Sequence, residues 1–190
     1  MPKPIKTNLV NDKAINTLKK FMIFDDLSLH DIKTILAMDS ESNTEYSYQS
    51  RIAKLCQYSA GEIVIREGDF DSWSFWVVKG KFDVIQNGET IAVFSKPGQI
   101  FGEMSVLEGI PRTATVVSKE DGVCLCLDMS VIENLNDKKI KNVIRNGFYR
   151  VILDRIGKTK NQMREEKEKF EKKYAKLIGF EKDIVQKTSK

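Results

Sequence analysis

Between Phe101 and Val116 the chain reads Phe-Gly-Glu-Met-Ser-Val-Leu-Glu-Gly-Ile-Pro-Arg-Thr-Ala-Thr-Val, and this short stretch concentrates residue types that can hold an anion and a sugar. Gly102 lets a backbone approach a ligand closely. Glu103 to Leu107 suit one helical turn whose leading N–H groups have no intrahelical acceptor and point at an anion. Arg112, fixed by Pro111 and launching the next strand, offers a planar fork of donors that matches two phosphate oxygens. A carboxylate beside a phosphate is unfavourable unless another group occupies it, so Glu103 suits a hydroxyl donor such as that of a ribose. Glu103 and Arg112 together then describe a sugar and a phosphate held side by side. The same two residues suit an internal ion pair bracing the loop, and taken alone their spacing favours that pair.

Other chemistries lack their parts. His30 is the only histidine and sits in a helical segment, away from any serine or cysteine nucleophile, and no carboxylate pair stands at a strand end. No catalytic residue is therefore expected, and the chain reads as a sensor and not an enzyme. The three cysteines, Cys56, Cys124 and Cys126, are an odd number, and the last two alternate with Val123, Leu125 and Leu127 in a strand-like pattern. Reduced thiols are expected, with too few ligands for a metal. Gly157-Lys158-Thr159 looks like the end of a triphosphate-binding loop, but its first glycine would have to stand where Ile152 does.

Several elements must position the loop. Ile15, Leu18 and Met22 recur at helical spacing, and a second helix is announced by Ser28 with Asp31 three residues on and by Leu29, Ile32, Ile35 and Leu36. Residues 39–50 are polar and without period, as in a surface insertion. From Lys54 to Asp128 short apolar runs alternate with glycine-bearing turns, the rhythm of an all-β barrel or jelly roll, and Asn87-Gly88 reads as a two-residue hairpin. Trp73, Phe75 and Val77 share one face of a strand and should fill the barrel. Beyond Asp128, Ile140, Val143, Ile144, Phe148, Val151, Ile152 and Ile156 trace one side of a long helix. Met163, Phe170, Leu177 and Ile184 continue it at intervals of seven in a stretch rich in Lys and Glu.

Charge separates the two parts. Of a formal net charge of +4, residues 158–190 carry eleven Lys/Arg against six Asp/Glu, a local +5, which leaves about −1 for the preceding body. The body is no evident polyanion binder. No apolar run reaches the length of a membrane span, and Met1-Pro2-Lys3-Pro4 opens no signal peptide, so a cytoplasmic protein is expected.

As a whole, the Phe101–Val116 segment resembles the phosphate-binding cassette of the cyclic nucleotide-binding domain family in residue type and spacing. The similarity extends through Ala60-Gly61-Glu62, Arg66-Glu67-Gly68-Asp69, Lys79-Gly80 and Pro97-Gly98. It implies a mainly β fold with flanking helices: a β-roll or jelly-roll barrel with short N-terminal helices and a long C-terminal lid helix. The layout it implies is a helical lead over residues 1–23, a nucleotide-binding domain over 24–158 with the polar insertion near 39–50, and a charged helical extension over 159–190. The ligand it implies is cyclic AMP or cyclic GMP, with no further cofactor. The resemblance implies a binding set of Gly102, Glu103, Met104, Ser105, Arg112, Thr113 and Ala114. In it, Gly102 and the backbone of the following turn face the cyclic phosphate, Glu103 the ribose 2′-hydroxyl, Arg112 the phosphate, and Thr113 and Ala114 the phosphate or base edge. A threonine at the position of Thr113 is common in family members that accept guanine.

Leu153-Asp154-Arg155-Ile156-Gly157-Lys158 is similar to the lid helix of cyclic-nucleotide-gated channels, which makes Ile152, Arg155, Ile156 and Lys158 the candidate base lid. A further lid arginine of some channels falls near Ile152 here. Only 34 residues follow Ile156, too few and too charged for a DNA-reading module with its own packed helices. The expectation is a stand-alone sensor that signals to an unidentified effector protein or, through the C-terminal helix, to a second copy of itself. The alternative is a scaffold whose barrel has lost its ligand and acts through its terminal helices.

Overall fold

The computed structural model describes residues 3–4, 12–37 and 52–188, with side chains described for 12–37 and 52–174. The polar insertion at 39–50 lies outside the described residues. Helices α1 (Asp12–Leu18) and α2 (Leu29–Ala37), with a 3-10 turn at Met22–Phe24 between them, precede the barrel. The start of α2 is built as its sequence requires. The Asp31 amide donates to Ser28 Oγ at 3.1 Å while the Ser28 amide donates to Asp31 Oδ2 at 3.0 Å, a reciprocal cap over two otherwise orphaned donors.

The strands are β1 (Lys3–Pro4), β2 (Ala53–Tyr58), β3 (Ile63–Ile65), β4 (Trp73–Lys79), β5 (Phe82–Gln86), β6 (Glu89–Phe94), β7 (Ile100–Phe101), β8 (Thr115–Ser118) and β9 (Gly122–Asp128). They form two antiparallel sheets, in the orders β1-β2-β9-β4-β7 and β3-β8-β5-β6. Between β5 and β6, Asn87 (φ 52°) and Gly88 (φ 80°) both take the left-handed conformation, the signature of a type I′ hairpin, whose twist matches that of its strands. Phe75, Val77, Phe82, Phe101, Val116 and the three cysteines face one another as the barrel core, with Trp73 partly buried against it. The fold is thus mainly β with short helices before the barrel and a long helix after it.

Strand β4 is covered on its other side as well. Trp76 is fully buried and meets Phe148 edge-on at 6.0 Å between ring centroids. Phe148 belongs to helix α5 (Lys138–Thr188), which follows the short α4 (Met129–Glu133), and Ile140 and Ile144 of the same helix face are buried with it. Gly147 makes the close approach possible, because a Cβ there would lie 2.5 Å from the carbonyl oxygen of Ile23. The first part of α5 therefore locks against the 3-10 turn and the outer face of β4. By internal contacts the chain divides into two compact units, 1–149 and 150–190, so the first unit ends inside α5.

Candidate functional site

The short helix α3 (Glu103–Glu108) starts from Gly102, whose φ of 76° and ψ of 7° place it in the left-handed region. Space as well as backbone angle demands glycine here. A Cβ would stand 2.8 Å from Ile65 Cδ1 and 2.9 Å from Arg112 Nη1. Gly109, also left-handed at φ 64°, ends the helix and donates its amide to the Ser105 carbonyl.

Arg112 is the centre of the site. Its side chain is only 2% exposed, and both its backbone and its guanidinium are held. The Arg112 amide donates to the Asp69 carbonyl and its own carbonyl accepts from the Gly68 amide, each at 2.8 Å. These bonds fasten the arginine to the Arg66–Asp69 turn. In the guanidinium, Nε donates to Asp71 Oδ2 at 3.1 Å and Nη2 to Asp71 Oδ1 and to the Trp73 carbonyl. Nη1 donates to the Gly102 carbonyl and, at 2.8 Å, to Ser105 Oγ. All five donors of the fork are engaged. The guanidinium carbon also lies 5.9 Å from the centre of the Phe75 ring, which itself stacks on Phe101 at 5.3 Å.

The bidentate partner of Arg112 is Asp71, a residue the sequence reading did not single out. Its signal was indirect: an arginine buried beside a barrel strand needs a carboxylate, and Asp71 stands in the polar turn leading into β4. The side chain of Asp71 is 37% exposed, so the pair is buried at the cation and open to solvent at the anion.

The structure brings Gly102, Ser105 and Arg112 into direct contact and buries Glu103 beside them at 3% exposure. Thr113 is exposed, and its carbonyl accepts from Gln86 Nε2 at 2.9 Å; Ala114 is half-buried. Met104 is 47% exposed. Of the lid candidates, all in the second unit, Ile152 is buried, Arg155 is intermediate, and Ile156 and Lys158 are exposed. Lys158 Nζ is already engaged along the helix by Asp154 Oδ2 at 2.6 Å.

The cysteines are free and buried. Burial pushes the thiol of Cys124 above its usual range and does the same to the phenol of Tyr58, whose oxygen lies 3.7 Å from Cys126 Sγ. Cys124 and Tyr58 stay protonated and pack the core. Among the described residues no helix is long and apolar enough to cross a membrane.

Residues 55–139 match the family model of the cyclic nucleotide-binding domain. A cAMP-dependent protein kinase regulatory subunit of Schizosaccharomyces pombe is 31% identical over 107 residues, covering 55% of this chain and 24% of that protein. A cGMP-dependent protein kinase of Plasmodium berghei is 26% identical over 117 residues, covering 60% of this chain and 14% of that protein. The chain thus spans a quarter or less of the length of these relatives. The solved cyclic nucleotide-binding domain of Methylobacillus flagellatus superposes with a TM-score of 0.62 over 85% of this chain and 86% of that one, at 19% identity, a likeness of fold. The Gly102–Arg112 cradle is built on that fold, and the stretch that holds it, residues 55–139, is the one that matches the cyclic nucleotide-binding domain family.

Proposed function

We propose that this chain binds a cyclic mononucleotide, cyclic AMP or cyclic GMP, in the cradle formed by Gly102, Glu103, Ser105 and Arg112, and that it acts as a sensor and not as an enzyme. The observation that carries the proposal is the buried guanidinium of Arg112, held by Asp71 on one edge and by two neutral acceptors, the Gly102 carbonyl and Ser105 Oγ, at Nη1. A phosphate oxygen is a stronger acceptor than a carbonyl or a hydroxyl, so an incoming cyclic phosphate takes over Nη1 while Asp71 keeps the fork in place. The exchange releases the Gly102 carbonyl and the Ser105 hydroxyl, both at the start of α3. Binding is thereby linked to a change in the position of that helix, and the ligand shifts the equilibrium by its differential affinity for the two arrangements. Glu103, buried next to the phosphate position, takes the ribose 2′-hydroxyl.

The relatives supply the ligand class, since the printed names include kinases dependent on cAMP and on cGMP. Ile152, Arg155, Ile156 and Lys158 serve as the base lid on the strength of their similarity to channel lid helices. For Lys158 to reach a base it must leave Asp154. Output to an effector protein, in the cytoplasm, completes the reading.

The engaged state of all five Arg112 donors favours one alternative, a ligand-free barrel that works as a scaffold. Calorimetric titration of nucleotide-free protein with cyclic AMP and with cyclic GMP separates the two. Micromolar or tighter binding of either supports the sensor; no heat and no thermal shift with both leaves the scaffold.

A further inference from the structure

From Ile156 to Tyr174 every residue of helix α5 is exposed, including side chains that do not belong in water. Leu153, Ile156, Met163, Phe170 and Tyr174 expose between 57% and 69% of their surface. With Lys160 and Lys167 they follow one another in steps of three and four along the sequence. That is a period of 3.5 and a single stripe suited to a left-handed pairing with another helix. Within the stripe, Phe170 stacks on Tyr174 one turn on, at 6.3 Å between ring centroids. The pairs Lys158–Asp154, Arg164–Glu168 and Lys167–Glu171, at 2.6, 3.9 and 3.8 Å, are exposed contacts between neighbouring turns, of a kind that adds little stability.

We infer that this stripe docks a helix of a different protein that carries carboxylates opposite Lys160 and Lys167, and not a second copy of this chain. The two lysines decide the occupant. In a parallel, in-register copy Lys160 meets Lys160 and Lys167 meets Lys167. In an antiparallel copy paired over Leu153 to Tyr174 each lysine meets an apolar residue or another lysine, because no stripe position in that span is acidic; the first acidic one, Glu181, lies beyond it. Either arrangement brings four ammonium groups into an apolar seam, in which the two Lys167 groups keep only the Glu171 carboxylate of their own helix. A partner with apolar side chains along its own stripe and two glutamates at the facing positions covers the same surface and neutralises both lysines. The lysine stems then add their own apolar length to the contact. The inference names the effector of the proposed sensor but stands on the helix alone, so nucleotide titration of the same samples separates a failure of one from a failure of the other.

The test uses the full chain and two synthetic helical peptides of about four heptads, identical in their apolar seam. One carries Glu and the other Lys at the positions facing Lys160 and Lys167. In sedimentation the chain alone is expected to stay monomeric, and in titration the Glu peptide to bind at least about tenfold more tightly than the Lys peptide. The double variant Lys160→Glu/Lys167→Glu, checked for unchanged helix content by circular dichroism, should reverse the preference. Self-association of the unmodified chain, equal binding of the two peptides, or binding to anionic vesicles in place of either peptide would overturn the inference.

Discussion

The loop around Arg112 and the helix beyond Arg150 treat their charged groups in opposite ways. In the loop a cation is sunk to 2% exposure and each of its donors is answered by a named acceptor drawn from two separate stretches of chain, Asp71 to Trp73 and Gly102 to Ser105. In the helix the cations stand in water and pair with neighbours one turn away, while the apolar residues between them lack cover. The contrast separates a part of the molecule completed by its own fold from a part whose surface chemistry still calls for a partner. A buried, fully bonded group is costly to disturb, whereas an exposed one is nearly neutral until something binds it.

The sharpest way to break this comparison is Asp71→Ala. It strands a guanidinium that solvent cannot reach, a loss of about 3–5 kcal/mol for a buried pair, toward the low end here because Asp71 itself is partly exposed. Arg112→Ala leaves a carboxylate that water can reach, together with the Gly102 and Trp73 carbonyls and the Ser105 hydroxyl, neutral acceptors that cost less to leave unpaired than a buried charge. Thermal melts should therefore show the aspartate variant as the less stable of the two, and equal losses would mean that the pair is not asymmetric. On the ligand side the order reverses. Arg112→Ala removes the phosphate's partner, about 2–5 kcal/mol or roughly thirty- to several-thousand-fold in nucleotide affinity by calorimetry.

A smaller effect follows from the barrel core. Cys124 and Tyr58 have folded-state pKa values raised by burial, so their protonated forms contribute stability below the unfolded-chain values, and that contribution is lost as the pH rises further. Denaturant midpoints should start to fall above about pH 8.5, where an unfolded thiol ionises. A midpoint that rises or stays flat toward pH 10 would contradict the protonated core. Thr113 is exposed, and Thr113→Ala should cost cyclic GMP a few-fold to about tenfold more affinity than cyclic AMP, the worth of a neutral hydrogen bond. Equal losses would assign its hydroxyl to the phosphate. The smallest change is expected at Met163→Asp. The free chain should melt within about 0.5 kcal/mol of the unaltered protein although a large apolar residue has gone. A clear loss of stability there would mean that the stripe is already covered.

The sequence alone determined whatever is encoded over a few residues. The Ser28–Asp31 cap, the Asn87-Gly88 hairpin, the alternation in β4 and the heptad stripe all follow from local backbone angles and from the periods of helix and strand. The glycine–glutamate–arginine pattern of the cradle was legible for the same reason, because Gly102 to Arg112 is one short contiguous segment. Tertiary structure decided what depends on distant segments meeting. Asp71 reaches Arg112 across 41 positions, and nothing near either residue selects the other. Trp76 alternates with the barrel residues, yet it is buried as deeply as they are because Phe148, far along the chain, covers it. The glycine that lets that helix approach, Gly147, looks in sequence like a weak point in a helix. Its reason appears only with the Ile23 carbonyl packed where a Cβ would be, since close packing of backbones is a property of the assembled elements and not of either one.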